Sequence, residues 1–177
     1  MLNAKTLTTE ETLQTITLKA PYLLFIGSET EPIYAKTAAG LAHWVPEKCM
    51  GQLSLPGGTI DLGLPKHDVV SAAKAGAKSL VIGTSAVGGA IPAAWMPTLI
   101  QALESGLDIV AGVHTKLNEM PELVAAAKES GASLVDVRVP PKDIPVGTGL
   151  KRTGKRLLTV GTDCALGKKY TALAIAR

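Results

Sequence analysis

Pro97-Thr98-Leu99-Ile100-Gln101-Ala102-Leu103-Glu104-Ser105-Gly106-Leu107-Asp108-Ile109-Val110-Ala111 reads as a helix, a glycine and a strand. Helix-favouring residues over 97–104 stop at Gly106, a residue that suits the left-handed turn after a helix, and the apolar, β-prone run 108–111 follows at once. The same arrangement stands on either side. Asp68 is placed to cap a helix through Ala75, which Gly76 ends before a strand over 79–82; a helix over 121–130 ends at Gly131 before a strand over 133–137. Three such units at intervals of roughly 25 to 30 residues predict right-handed βαβ crossovers in a parallel sheet. Upstream, residues 22–26 form an apolar run closed by Gly27 and read as the first strand. After a loop to Pro32, the segment 33–41 reads as a helix closing on His43, Trp44 and Pro46. Residues 51–65, with Gly57-Gly58, are expected to be a loop containing a short strand.

The remaining chain flanks this α/β body. Residues 1–20 are a polar, threonine-rich extension, in which Thr8 and Glu11 at capping-box spacing predict a short helix. From Val139 onward Pro140, Pro141, Pro145, Gly147, Gly149 and Gly154 interrupt any apolar period, which marks residues 140–156 as a linker. The expected organisation is an extension over 1–20, a Rossmann-like domain over 21–139, the linker, and the first βα unit of a P-loop NTPase-like domain over 157–177.

That last unit carries the strongest chemical signal. Leu157-Leu158-Thr159-Val160 is a β-prone run that feeds Gly161-Thr162-Asp163-Cys164-Ala165-Leu166-Gly167-Lys168-Lys169-Tyr170-Thr171, and a helix-favouring segment follows. Glycines let backbone N–H groups close around an anion, a helix N-terminus adds partial positive charge, and a lysine neutralises phosphate. The usual phosphate loop has four residues between its glycines and a hydroxyl after the lysine to hold magnesium. Here five residues separate Gly161 from Gly167, and Lys169 stands where the hydroxyl belongs. A protonated lysine cannot ligate a metal, so the loop reads as one that holds a di- or triphosphate without splitting ATP. Thr171 supplies a hydroxyl two residues further along, about 200° round the helix.

Composition limits the partners. The chain is 46% hydrophobic but 3% aromatic, so its core is built from small aliphatic side chains, as helices packed on a parallel sheet require. A net charge of +3, with no basic run interleaved with aromatics, argues against nucleic acid as a partner. No apolar leader follows Met1, and Pro92 and Pro97 break the most apolar stretch, so no membrane span is expected. Two cysteines, Cys49 and Cys164, match no disulfide framework or zinc pattern, which fits a reducing cytoplasm. Because the final helix is reached with no further strand behind the loop, the chain reads as the N-terminal part of a longer protein.

Ligands of open parallel sheets bind beyond the carboxyl ends of the strands. This selects Gly27-Ser28, the glycine-bearing loop 83–89, Gly112-Val113-His114 and Asp136-Val137-Arg138. The loop after Ile82 is not a G-x-G-x-x-G fingerprint, and tight turn geometry explains its glycines more simply than a nicotinamide cofactor does. His114 directly follows a strand, where a general base can sit, although a lone histidine is more often structural. Asp136 and Arg138 share a strand face, so they either clamp a substrate or pair with each other, the second being favoured. Cys164 in the phosphate loop lacks an adjacent base and reads as a packing residue. Asp163 is a carboxylate in a cationic loop, suited either to accept a proton or to make a local turn contact.

Four motifs taken together support a resemblance. They are Ala35-Lys36-Thr37-Ala38-Ala39-Gly40-Leu41; Gly106-Leu107-Asp108-Ile109-Val110-Ala111-Gly112-Val113-His114; Asp136-Val137-Arg138-Val139-Pro140-Pro141 with Pro145-Val146-Gly147; and Val160-Gly161-Thr162-Asp163-Cys164-Ala165-Leu166-Gly167-Lys168. Over residues 22–177 the chain resembles the DgcN-type D-glutamate N-acetyltransferase family, catalogued as domain of unknown function 1611. The resemblance implies an N-terminal Rossmann-like domain and a C-terminal P-loop domain. It also implies transfer of acetyl from acetyl-CoA to the amine of D-glutamate in D-amino-acid catabolism, by a cytoplasmic enzyme expected to be a homo-oligomer. Lys168 and Lys169 would hold coenzyme A phosphates; His114 and Asp163 are the nominated catalytic groups. The loop is also similar to that of dethiobiotin synthetase, an ATP- and magnesium-dependent carboxylating enzyme with the same spacing, although a threonine follows the lysine there. A nucleotide-binding module without turnover is the third reading.

Overall fold

The structure is a computed structural model describing residues 16–85, 89–139, 149–151, 153–162 and 167–177. The helix expected near Thr8 lies outside these residues. The chain divides into two compact units, Met1–Pro141 and Lys142–Arg177.

The first unit is a five-stranded parallel sheet with helices on both faces. Its strands are β1 (Tyr22–Gly27), β2 (Cys49–Ser54), β3 (Ser79–Ile82), β4 (Asp108–Ala111) and β5 (Leu134–Asp136), in spatial order β2-β1-β3-β4-β5. Four helices join them: α1 (Lys36–Trp44), α2 (Val69–Lys74), α3 (Met96–Glu104) and α4 (Pro121–Ser130). The three helix-glycine-strand units form as expected. Asp68 Oδ1 accepts the Ser71 N–H at 2.7 Å to cap α2, and Gly106 and Gly131 take φ of 79° and 74° after α3 and α4.

Alternation along the central strands sends apolar side chains to both faces. Leu23, Phe25, Leu80, Ile82 and Ile109 pack with α2, α3 and α4 through Val69, Leu99, Leu103 and Leu123. Leu24, Ile26, Val81 and Val110 pack on the opposite face with Ala35 and Ala38 at the start of α1. This division follows from crossover handedness: the chain steps one way from β1 to β2 and the other way for every later strand, so α1 alone takes its face. The core aromatics are few, and Phe25 meets Trp95 edge to face with centroids 5.2 Å apart.

The predicted loop with a short strand becomes β2 and a covering flap. The register steps from Tyr22↔Cys49 to Leu23↔Gly51, so Met50 is an extra residue in the ladder. Residues after β2 fold back along its outer edge, with Gln52 N–H donating to Pro65 O at 2.8 Å and His67 N–H to Gln52 O at 3.0 Å. An edge strand that would otherwise offer free backbone groups is thereby covered. At the opposite end of the sheet Lys19 pairs with buried Asp108 at 2.8 Å, whose other oxygen accepts the Ser133 N–H.

In the second unit α5 spans Lys168–Ala176. The run 157–160, expected as a strand, joins no ladder among the described residues, and Leu157, Leu158 and Val160 are each more than 75% exposed. A strand exists only by pairing, and no described residue of its own unit pairs with this run.

Candidate functional site

The strand order turns around between β1 and β3, and in sheets of this topology the crevice at that point is the place for a ligand. Here its glycines serve packing. Gly27 has φ 62°, and a Cβ on it would lie 2.9 Å from the Trp95 indole. A Cβ on Gly83 would collide with Ala38, lying 2.9 Å from its Cα, while Ala38 N–H donates to Gly83 O at 2.9 Å. The indole and the first turn of α1 thus sit directly on the two strand ends. Thr84 beside them is 3% exposed, and its hydroxyl has no hydrogen-bond partner among the described residues.

Further along the same edge, β4 delivers His114 and β5 delivers Arg138, both exposed. Arg138 Nη1 lies 3.3 Å from His114 Nε2. A guanidinium only donates, so Nε2 turns its lone pair to the arginine. Gly89 O holds the backbone here, accepting from His114 N at 3.0 Å, and a side chain on Gly89 would strike the imidazole. Asp136 does not pair with Arg138. Its carboxylate accepts from Leu117 N at 2.8 Å, Asn118 N at 3.3 Å and Asn118 Nδ2 at 2.7 Å. The strand ends at Asp136, so the two-residue alternation that suggested the pair does not reach Arg138.

The phosphate-loop residues Gly161 and Thr162 are exposed. Asp163, Cys164, Ala165 and Leu166 lie outside the described residues. Gly167 takes φ 87° before the first turn of α5, a conformation that favours glycine, and nothing stands within 4 Å of where its Cβ would be. Thr159 Oγ1 donates to Lys168 O at 2.8 Å, tying the segment before the loop to the helix start. Lys169 is exposed, whereas Lys168 and Tyr170 are half-buried. The Thr171 hydroxyl donates back to Gly167 O at 3.1 Å, which uses its proton within the helix.

Two cavities that the sequence did not reveal border the flap after β2. One of about 550 Å³ lies among Gln52, Ser54, Gly57, Thr59, Lys66 and Asp68. The other, about 390 Å³, lies between that flap and the start of α1. Two nearby carboxylates stay ionised to lower pH than usual. Asp68 is held below its usual range first by the Ser71 N–H, and Asp61 first by the Gly63 N–H and then by Lys66. Burial, and then Glu47, push the Cys49 thiol up, so it is a packing group. The only signal pointing here was a glutamine in a buried strand. Among the described residues no cluster of histidine, cysteine and carboxylates could hold a metal, and no helix is long and apolar enough to cross a membrane.

Two family descriptions match the chain. The Rossmann-like domain of DUF1611_N, a domain of unknown function, covers residues 54–140, and the P-loop domain DUF1611_C covers residues 145–177. The chain belongs to the DUF1611 family. The crystal structure of a DUF1611 family protein from Anabaena variabilis ATCC 29413 superposes with a TM-score of 0.74 at 30% identity, over 89% of this chain and 48% of that one. Two relatives carry the name D-glutamate N-acetyltransferase. The Tritonibacter scottomollicae protein is 48% identical over 89% of this chain and 47% of its own length. The Pseudoalteromonas sp. protein is 44% identical over 90% of this chain and 48% of its own. This DUF1611 chain therefore spans about half the length of the curated relatives it matches.

Proposed function

We propose that the protein transfers an acetyl group from acetyl-CoA to the amine of D-glutamate. The observation that carries this reading is 48% identity, over 89% of this chain, to a protein named for that activity. The chemistry of the loop agrees. Coenzyme A brings a diphosphate that must be held and not cleaved. Gly161, Thr162 and residues 163–167 would present backbone N–H groups, with Lys168 and Lys169 supplying the charge. Lys169 stands in the place of a metal-binding hydroxyl, and Thr171 spends its proton on Gly167 O. The lysine, whose protonated ammonium has no lone pair for a metal, disfavours the magnesium-ATP chemistry of a dethiobiotin-synthetase-like enzyme.

In the transfer, the D-glutamate nitrogen attacks the thioester carbonyl, a C–N bond forms, the C–S bond breaks, and the coenzyme A sulfur leaves with the electron pair. The amine must give up a proton. His114 is assigned this role: a substrate carboxylate would draw the Arg138 guanidinium away from Nε2, 3.3 Å distant, and free that lone pair. Asp163 is the alternative acceptor.

Thermal shifts of the full-length protein with acetyl-CoA, with ATP and magnesium, and with D-glutamate test the ligand class. Stabilisation by acetyl-CoA without metal is expected; stabilisation only by ATP with magnesium overturns the reading. Lys168→Ala is expected to weaken acetyl-CoA binding by about 2 kcal/mol, as loss of a charge-assisted contact does. Unchanged affinity by calorimetry would remove the loop from the site.

A further inference from the structure

His114 and Arg138 stand beyond neighbouring strand ends and set a donor beside an acceptor. β4 and β5 run side by side there, with Ala111 opposite Asp136 and the Val137 N–H donating to Ala111 O at 2.9 Å. His114 comes three residues after Ala111, and Arg138 two after Asp136. The imidazole is held from its own backbone: Gly89 O accepts from His114 N at 3.0 Å and from Thr115 N at 3.3 Å, and a Cβ on Gly89 would lie 2.9 Å from His114 Cγ. Nη1 of the guanidinium is 3.3 Å from Nε2. Among the described residues Arg138 forms no ion pair, and Asp136 gives its carboxylate to Leu117 and Asn118. An exposed cation with several N–H donors thus adjoins a nitrogen lone pair.

That spacing measures the ligand. A molecule that gives a proton to Nε2 while its carboxylate accepts from the guanidinium must carry nitrogen and oxygen about as far apart as the two protein nitrogens, which are 3.3 Å apart. Standard bond lengths put the amine nitrogen of an α-amino acid about 2.5 Å from its α-carboxylate carbon, and about 3 Å from the oxygens. The side-chain carboxylate carbon of glutamate, four bonds from the nitrogen, lies about 5 Å away when extended. The α-carboxylate fits once the guanidinium moves far enough to release the lone pair; the side-chain carboxylate fits only if the chain folds back on itself. Charge agrees, because an α-carboxylate neutralises the guanidinium at the place where the amine arrives as a cation. We propose that Arg138 binds the α-carboxylate of the amino-acid substrate. The pair then reads the part common to all amino acids, and the side-chain carboxylate is read elsewhere. This rests on His114 as the proton acceptor in the transferase reading, and adds which end of the substrate the pair grips.

The test measures calorimetric affinities of the full-length protein, with coenzyme A present, for D-glutamate, its α-amide D-isoglutamine and its γ-amide D-glutamine. The parent is expected to bind D-isoglutamine about tenfold more weakly than D-glutamate, as loss of a charge-assisted contact does. In Arg138→Gln, which changes an exposed residue, that preference is expected to vanish, while the ratio between D-glutamate and D-glutamine keeps its parent value. A merely structural effect would weaken all three ligands together and leave both ratios standing, and that result overturns the proposal. Loss of the D-glutamine ratio in place of the D-isoglutamine ratio overturns it too. The proton step is tested apart: a parent-like kcat in His114→Asn removes His114 as the acceptor, and the two Arg138 ratios, read from binding alone, still decide the carboxylate. No binding of D-glutamate to the parent overturns both.

Discussion

Gly83 shows how much one missing methyl can hold together. Its place at the end of β3 brings the first turn of α1 so near that a Cβ would lie 2.9 Å from Ala38 Cα and 3.1 Å from Ala38 N. The obstructing atoms are Ala38 Cβ and the backbone that fixes it, so relief requires shifting the helix. Gly83→Ala is expected to cost about 1–3 kcal/mol, read from the urea midpoint. Asp68 gives a second prediction. Its carboxyl is held below 3.8 by the Ser71 N–H, so its contribution is present above that value and is lost as pH falls through the folded-state value. Asn caps helices as well as Asp does. Asp68→Asn is therefore expected to hold its melting temperature at about pH 6 and to lose less than the parent on acidification to about pH 3. An identical acid slope would show that the cap does not titrate with folding.

At the scale of elements, Asp136 joins β5 to the turn that precedes α4. Its carboxylate receives two backbone N–H groups and the Asn118 amide, and Leu117 in that turn is fully buried. Asp136→Ala leaves those donors without an acceptor. A loss of about 2 kcal/mol is expected, together with faster hydrogen exchange at Leu117 and Asn118. Elements differ in how openly their sequences announce them. β3, β4 and α4 begin and end where glycines and apolar runs place them. β2 does not, because Met50 interrupts its register and Gly51 and Gln52 are poor strand formers; its partner and the returning flap make it a strand. The reverse holds for 157–160, whose residues favour a strand but have no described neighbour to pair with.

For the whole molecule, every ladder of the sheet and both core clusters lie within the first unit. Residues 16–139 expressed alone are expected to fold with the same sheet and to unfold in one cooperative transition by circular dichroism. A broad transition would mean that the core is completed elsewhere.

What the order of residues determined by itself is the alternation of helix, glycine and strand, the parallel sheet that this alternation demands, and the lysine-bearing turn before α5. These depend on neighbours along the chain, where local conformational preference and periodicity act directly. Tertiary structure alone decided that Trp95 and Ala38 close over Gly27 and Gly83, and that Arg138 turns to His114 and not to Asp136. Each of those joins residues distant in sequence, and hydrogen-bond reach and steric exclusion select partners only once the backbone has brought them side by side.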